Sequence, residues 1–229
     1  MSIDTPPIEH EHRVAASLVS AMLIATTGGA LDAFVFLNHG HVFAAAMTGN
    51  GVLLGVDILR HNWIQAVRHL LPIFGFVLGV LSAKLLEHHL KDHAITIGLL
   101  CEISALFALS WLPGGFPDLA YICIIAIVGA YQVASFRRAD SYAYNSTFMT
   151  GNLRTAVDGL FESFQSKTHD SGVRKLRSLS LVVLSFLLGA TAGAILSPRF
   201  LNHTLWFIDL PLIAVLFLVL HRKSTLATT

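Results

Sequence analysis

Six stretches of this chain, residues 15–37, 67–87, 94–112, 118–136, 178–197 and 204–221, are predominantly apolar over the length a helix needs to cross a bilayer. A hydrocarbon core ~30 Å thick takes about 20 residues at 1.5 Å each. Hydrophobic residues make up 54% of the chain and charged residues only 13%, about half of the ~25% usual in a soluble domain. Mean hydropathy is +0.67. These features predict an all-α, polytopic membrane protein whose surface faces the lipid bilayer. Residues 1–13 read as a disordered N-terminal tail, 14–221 as one membrane domain and 222–229 as a C-terminal tail. The first apolar run is not expected to be a cleaved signal peptide: Asp4, Glu9 and Glu11 precede it in place of a basic cluster, and it is too long. Residues 162–177 are the one long polar connection expected.

The order of the runs is repeated. Met47-Thr48-Gly49-Asn50 returns as Met149-Thr150-Gly151-Asn152, one copy in each half. Gly29-Ala30-Leu31-Asp32 with Phe36 is echoed by Gly129-Ala130-Tyr131-Gln132 with Phe136, Val56-Asp57 by Val157-Asp158, and Phe76 with Gly79 by Phe186 with Gly189. The echoes predict an internal duplication, repeat one over 14–112 and repeat two over 117–221, with three spanning helices each. With the N-terminus in the cytoplasm, all of the 15 Lys and Arg residues except Arg60, Arg68 and Arg199 fall on the inner side. The positive-inside rule therefore predicts both termini cytoplasmic. Three crossings per repeat then require the second repeat to enter the membrane the other way up.

After each Thr-Gly-Asn comes a segment long enough for half a crossing, 51–59 and 153–161. Asn50 and Asn152 are expected to cap these short helices by accepting their free N–H groups, and Gly49 and Gly151 to permit a sharp turn before them. Each helix either dips into the membrane or lies along its surface. Duplication of the motif favours the re-entrant form, which needs protein or a water-filled cavity to satisfy its irregular backbone at that depth. Such helix N-termini suit an anion or the negative end of a polar solute, with the Thr48 and Thr150 hydroxyls beside them and Arg154 on the cytoplasmic side. The predicted substrate-binding set is Thr48, Gly49, Asn50, Thr150, Gly151, Asn152 and Gln132. Asp32 and Glu102, ionisable groups inside apolar runs, are the candidates for proton or ion coupling, and Asp209 is a third buried acid. A charge there costs ~3 kcal/mol on insertion scales and is usually placed for function. Gly75/Gly79 and Gly189/Gly193 form small-xxx-small steps and predict that the second and fifth helices pack on each other at the pseudo-symmetry axis.

Taken in order, GALDAFVFL, FAAAMTGNGVLLG, GAYQVASFRR and TFMTGNL resemble the YoaK-like bacterial membrane proteins grouped as domain of unknown function 1275. The resemblance runs over about residues 15 to 220. It implies a multi-pass protein of the bacterial inner membrane, and it supplies no activity and no substrate. The matching positions are Gly29, Asp32, Thr48, Gly49, Asn50, Gly129, Gln132, Thr150, Gly151 and Asn152. The loop PGGFPD between the third and fourth spans is very short, which limits any external domain.

Two classes of function fit these features. One is a secondary transporter or channel for a small polar or anionic solute, bound between the halves. The other is a non-transporting membrane scaffold or sensor subunit. An enzyme is not expected, because the chain has no nucleophile–base pair, metal cluster or nucleotide loop. No cofactor and no metal are expected: His88, His89 and His93 read as an interfacial loop without a completed ligand set, and Cys101 and Cys123 as small apolar residues. A net charge of +1 leaves no basic footprint for nucleic acid. A homo-oligomer is compatible with the chain.

Overall fold

The computed structural model describes residues 14–113 and 115–227. The first long helix, α1, is Leu18–Asn38. The short α2, Met47–Leu59, follows, and then come α3 (Trp63–Leu90), α4 (Ala94–Ser110) and α5 (Asp118–Ser135). A two-residue hairpin, β1 (Arg138–Ala139) and β2 (Tyr142–Ala143), precedes the short α6, Met149–Ser163. Helices α7 (His169–Phe200) and α8 (Thr204–Ala227) complete the chain. Each of the six apolar runs corresponds to one long helix, although 15–37, 94–112 and 118–136 run one to three residues past the helix ends. Four helical stretches are long and apolar enough to cross a membrane: α1, α3, α5 and His169–His221, which takes in α7 and most of α8. Helix α4, with 17 residues, is apolar but shorter.

Several boundaries differ from those expected. The short helices start at Met47 and Met149, not after the asparagines, and have 13 and 15 residues. Most of the predicted polar connection 162–177 is helical. α7 begins at His169, with Asp170 in its first turn, and Lys175 pairs with Glu162 at 2.8 Å. Gly159 and Gly172 let α6 and α7 cross with backbones nearly touching, since a Cβ on Gly159 would lie 2.7 Å from the Leu176 nitrogen. The C-terminal helix continues to Ala227, so most of 222–229 extends α8, where no Gly or Pro stops it. The N-terminal tail 1–13 lies outside the described residues.

Packing also corrects the expected glycine contact. Gly75 and Gly79 of α3 do not face Gly189 and Gly193 of α7. A Cβ on Gly79 would fall onto the Ile127 carbonyl and one on Gly75 would sit 2.9 Å from the Ala126 Cβ, both on α5. A Cβ on Gly189 would fall onto the Thr26 carbonyl, one on Gly193 would lie 2.6 Å from the Ala30 oxygen, and one on Gly29 would strike the Phe186 carbonyl. So α3 packs on α5, and α7 packs on α1. The small residues face the first helix of the opposite half, where the backbones approach most closely. Helices α4 and α8 pack on each other.

The two halves share one further joint. Lys91 (φ 36°) caps α3 and Leu201 (φ 48°) caps α7, and each opens a three-residue 3-10 turn closing on His93 or His203. At the far end of α1, His39 Nδ1 lies 3.1 Å from Asp118, which also receives Arg68 at 3.4 Å, and the His39 ring stacks on Tyr121 at 4.1 Å. This ties α1 to α3 and α5.

Candidate functional site

The segment 39–46 that leads into α2 turns back along α1 instead of running away from it. Ala45 donates its N–H to Asp32 Oδ1 at 2.8 Å, and its Cβ lies 3.2 Å from where a Cβ on Gly129 of α5 would be. The segment leading into α6 does the same from the other end. Ser146 and Thr147 lie against Gly28, the middle residue of α1. Backbone carried this far into a bundle must find partners inside the protein.

The two asparagines supply those partners. Asn50 Oδ1 accepts the Phe43 N–H at 2.9 Å while its Nδ2 donates to the Phe43 carbonyl at 2.7 Å. Asn152 Oδ1 accepts the Asn145 N–H at 3.0 Å, and its Nδ2 donates to the Asn145 carbonyl at 2.6 Å. Both amides hold the residue seven positions earlier through both of its backbone groups, and both are buried. This replaces the N-cap role: Ala46 and Phe148 occupy the caps and make no side-chain cap bond. The turn role of Gly49 and Gly151 is also replaced, since neither has a positive φ. Their missing Cβ atoms make room for rings, Phe43 at 3.0 Å and Phe148 at 2.8 Å.

Between these segments lies a cavity of about 750 Å³. Asp32, Thr48 and Thr150 line it together with Asn145 and Thr147, and the walls are apolar: Phe36, Phe43, Phe76, Phe148 and Phe186 among others. Three of the predicted residues therefore meet at one space. Asn50 and Asn152 stand behind it as clamps, Gly49 and Gly151 behind Phe43 and Phe148. Arg154 is exposed and not part of the lining, which holds no basic side chain.

Gln132 and Glu102 are elsewhere. Gln132 Nε2 donates to Glu102 Oε2 at 2.8 Å, and buried Asp209 stands on α8, which packs on α4. The three form a separate buried group between α4, α5 and α8. Phe43, Phe148, Asn145 and Thr147 were not among the expected site residues. Phe36, Phe76 and Phe186 enter the sequence reading only as echoes, and the pairing of Phe76 with Phe186 is the one signal in it that both line a shared cavity. Among the described residues no three His, Cys, Asp or Glu side chains are grouped to hold a metal.

Long apolar helices around a small polar-edged cavity define an integral, all-α membrane protein. Its sequence matches the model of the family described as protein of unknown function DUF1275 over residues 20–218, and the chain belongs to that family. It is 28% identical over 216 residues to the UPF0700 transmembrane protein YoaK of Bacillus subtilis (strain 168), covering 90% of this chain and 93% of that one. No solved structure matches it.

Proposed function

We propose that this protein is a secondary transporter or channel of the bacterial inner membrane for a small polar or anionic solute, held in the cavity between two inverted three-helix repeats. In this reading the chain crosses six times with both termini cytoplasmic, and α2 and α6 are re-entrant. The observation that carries it is the meeting of Thr48 and Thr150, one from each Met-Thr-Gly-Asn copy, at a single cavity beside buried Asp32. Duplicated halves with broken segments that converge between them are the architecture of many transporters. Further support comes from the matched asparagine clamps, the matched packing of α3 on α5 and α7 on α1, and the matched joints at Lys91 and Leu201.

The cavity suits a solute with an apolar body and a hydrogen-bonding head. The aromatic walls take the body; Asp32 and the two threonines take the head. Both short helices point their N-termini towards it. Asp32 already occupies the N-terminal end of α2, which leaves the positive end of α6, beside Thr147 and Thr150, for a negative group on the solute.

Cysteines at positions 48 and 150, in a chain with Cys101 and Cys123 replaced by alanine, test the reading. Both are expected to react with a water-soluble thiol reagent, and a transported solute should protect both. A lack of reaction at both positions, or equal rates with every organic acid, nucleobase and neutral solute tried and no flux into liposomes, would move the protein to the scaffold or sensor class. A second expectation concerns Asp32→Asn. If the Asp32 carboxyl carries a coupled proton, this variant loses uptake driven by a pH gradient and keeps solute exchange. Unchanged pH-driven uptake would remove Asp32 from coupling.

A further inference from the structure

We infer that Glu102, Asp209 and Gln132 form a binding site for a small monovalent cation, H⁺ or Na⁺, separate from the solute cavity. All three are buried, at 3%, 3% and 0% exposure. Gln132 Nε2 satisfies one oxygen, Glu102 Oε2. Four more oxygens, Glu102 Oε1, Gln132 Oε1 and both of Asp209, are buried without any donor. A pair of carboxylates beside an amide oxygen presents acceptors only. Two like charges in a dry interior, with no compensating donor, demand a positive species among them.

The surrounding helices offer none. Within their apolar lengths α1, α4, α5 and α8 carry no Lys or Arg; their ionisable groups other than Glu102 and Asp209 are Asp32, bonded to Ala45, Asp118, bonded to His39 and Arg68, Tyr121 and Tyr131, bonded to the Leu109 and Ala94 carbonyls, Cys101 and Cys123, and His221 near the end of α8. On α3, His69 faces Asp57, Lys84 pairs with Glu87, and His88 and His89 lie against each other at the helix end; on α7, which touches α8, the charged groups are His169, Asp170, Arg174 and Arg177, exposed near its start, Lys175, paired with Glu162, and exposed Arg199 at its end, and His203 in the following turn stacks on Trp206. The missing charge must therefore come from solvent. Both candidates share one chemistry, oxygen ligation of a small hard cation, and differ in what the site releases. Of the ion-coupling residues expected from the sequence, Glu102 belongs here with Asp209, while Asp32 belongs to the cavity. The site does not rest on the transport reading, since a scaffold could hold the same ion.

The test uses the full chain in detergent, with Glu102→Gln and Asp209→Asn as neutral replacements. For sodium, the melting midpoint of the wild type should rise when NaCl replaces choline chloride at equal ionic strength under alkaline conditions, and this rise should be lost in both variants. For the proton, the folded site holds H⁺ that the unfolded chain releases at neutral pH. Wild-type stability should then climb as pH falls and decline as pH rises through the site's titration, while each variant, with one of the two acids already neutral, should lose part of that dependence. Midpoints independent of both cations, or a dependence that persists unchanged in both variants, would overturn the site. If the variants do not fold, infrared spectra of the wild type decide. The carbonyl band of a protonated carboxyl should disappear on alkalisation or on sodium addition, and a carboxyl signal unmoved by either would equally overturn it.

Discussion

Gly189→Ala is expected to destabilise the protein by at least ~3 kcal/mol, at or beyond the top of the range for overpacking a core. The new Cβ would be driven into the Thr26 carbonyl on α1. Backbone cannot rotate away as a side chain can, so α7 must lift off α1 and expose Gly29 and Gly193 along the same contact. Gly29→Ala, which meets the Phe186 carbonyl from the other side, should cost a similar amount. The two together should cost less than their sum, because the first has already opened the seam. Gly55→Ala is the control. Nothing lies within 4 Å of the added atom, and alanine gains about 1 kcal/mol of helix propensity over glycine. Thermal or denaturant unfolding in detergent gives the ranking. If Gly189→Ala and Gly55→Ala unfold alike, the close contact of α1 and α7 is wrong.

Asn50→Ala and Asn152→Ala should each cost up to about 2–6 kcal/mol, since each leaves one N–H and one carbonyl of half-buried Phe43 or Asn145 without a partner at ~1–3 kcal/mol apiece. Similar losses are expected because the two clamps have the same geometry, with bond lengths of 2.9 and 2.7 Å in one and 3.0 and 2.6 Å in the other. The change should also be local first: the segments 39–46 and 145–148 should gain hydrogen exchange and proteolysis before α1 does. Had the asparagines been ordinary helix caps, each alanine would cost only ~1 kcal/mol, and α2 or α6 would fray from its first turn. Unfolding energies near that lower value for both variants would restore the capping role.

The sequence disclosed the long helices because a membrane helix is written in consecutive residues: an apolar run of the right length has few other ways to satisfy its backbone. It also disclosed that Met47–Asn50 and Met149–Asn152 are a pair, and that Asp32, Glu102 and Asp209 are buried acids. What it could not disclose was where each side chain's partner comes from. Asn50 looks like a cap because a cap is the local use of asparagine before a helix. Its actual partner, Phe43, lies seven residues back across a loop whose course only the packed bundle sets.

The glycines show the same division. Gly75/Gly79 and Gly189/Gly193 announce close helix contacts through their spacing, but spacing belongs to one helix and a contact to two. Their choice of α5 and α1 depends on how the halves interleave. Likewise, the sequence alone determined a chain of helices suited to lipid, carrying a duplicated motif and a few buried acids. Tertiary structure decided that Thr48, Thr150 and Asp32 share a cavity while Gln132, Glu102 and Asp209 form another group. Helical periodicity acts over a few neighbouring residues, whereas these groupings join residues tens to more than a hundred positions apart, which only packing can bring together.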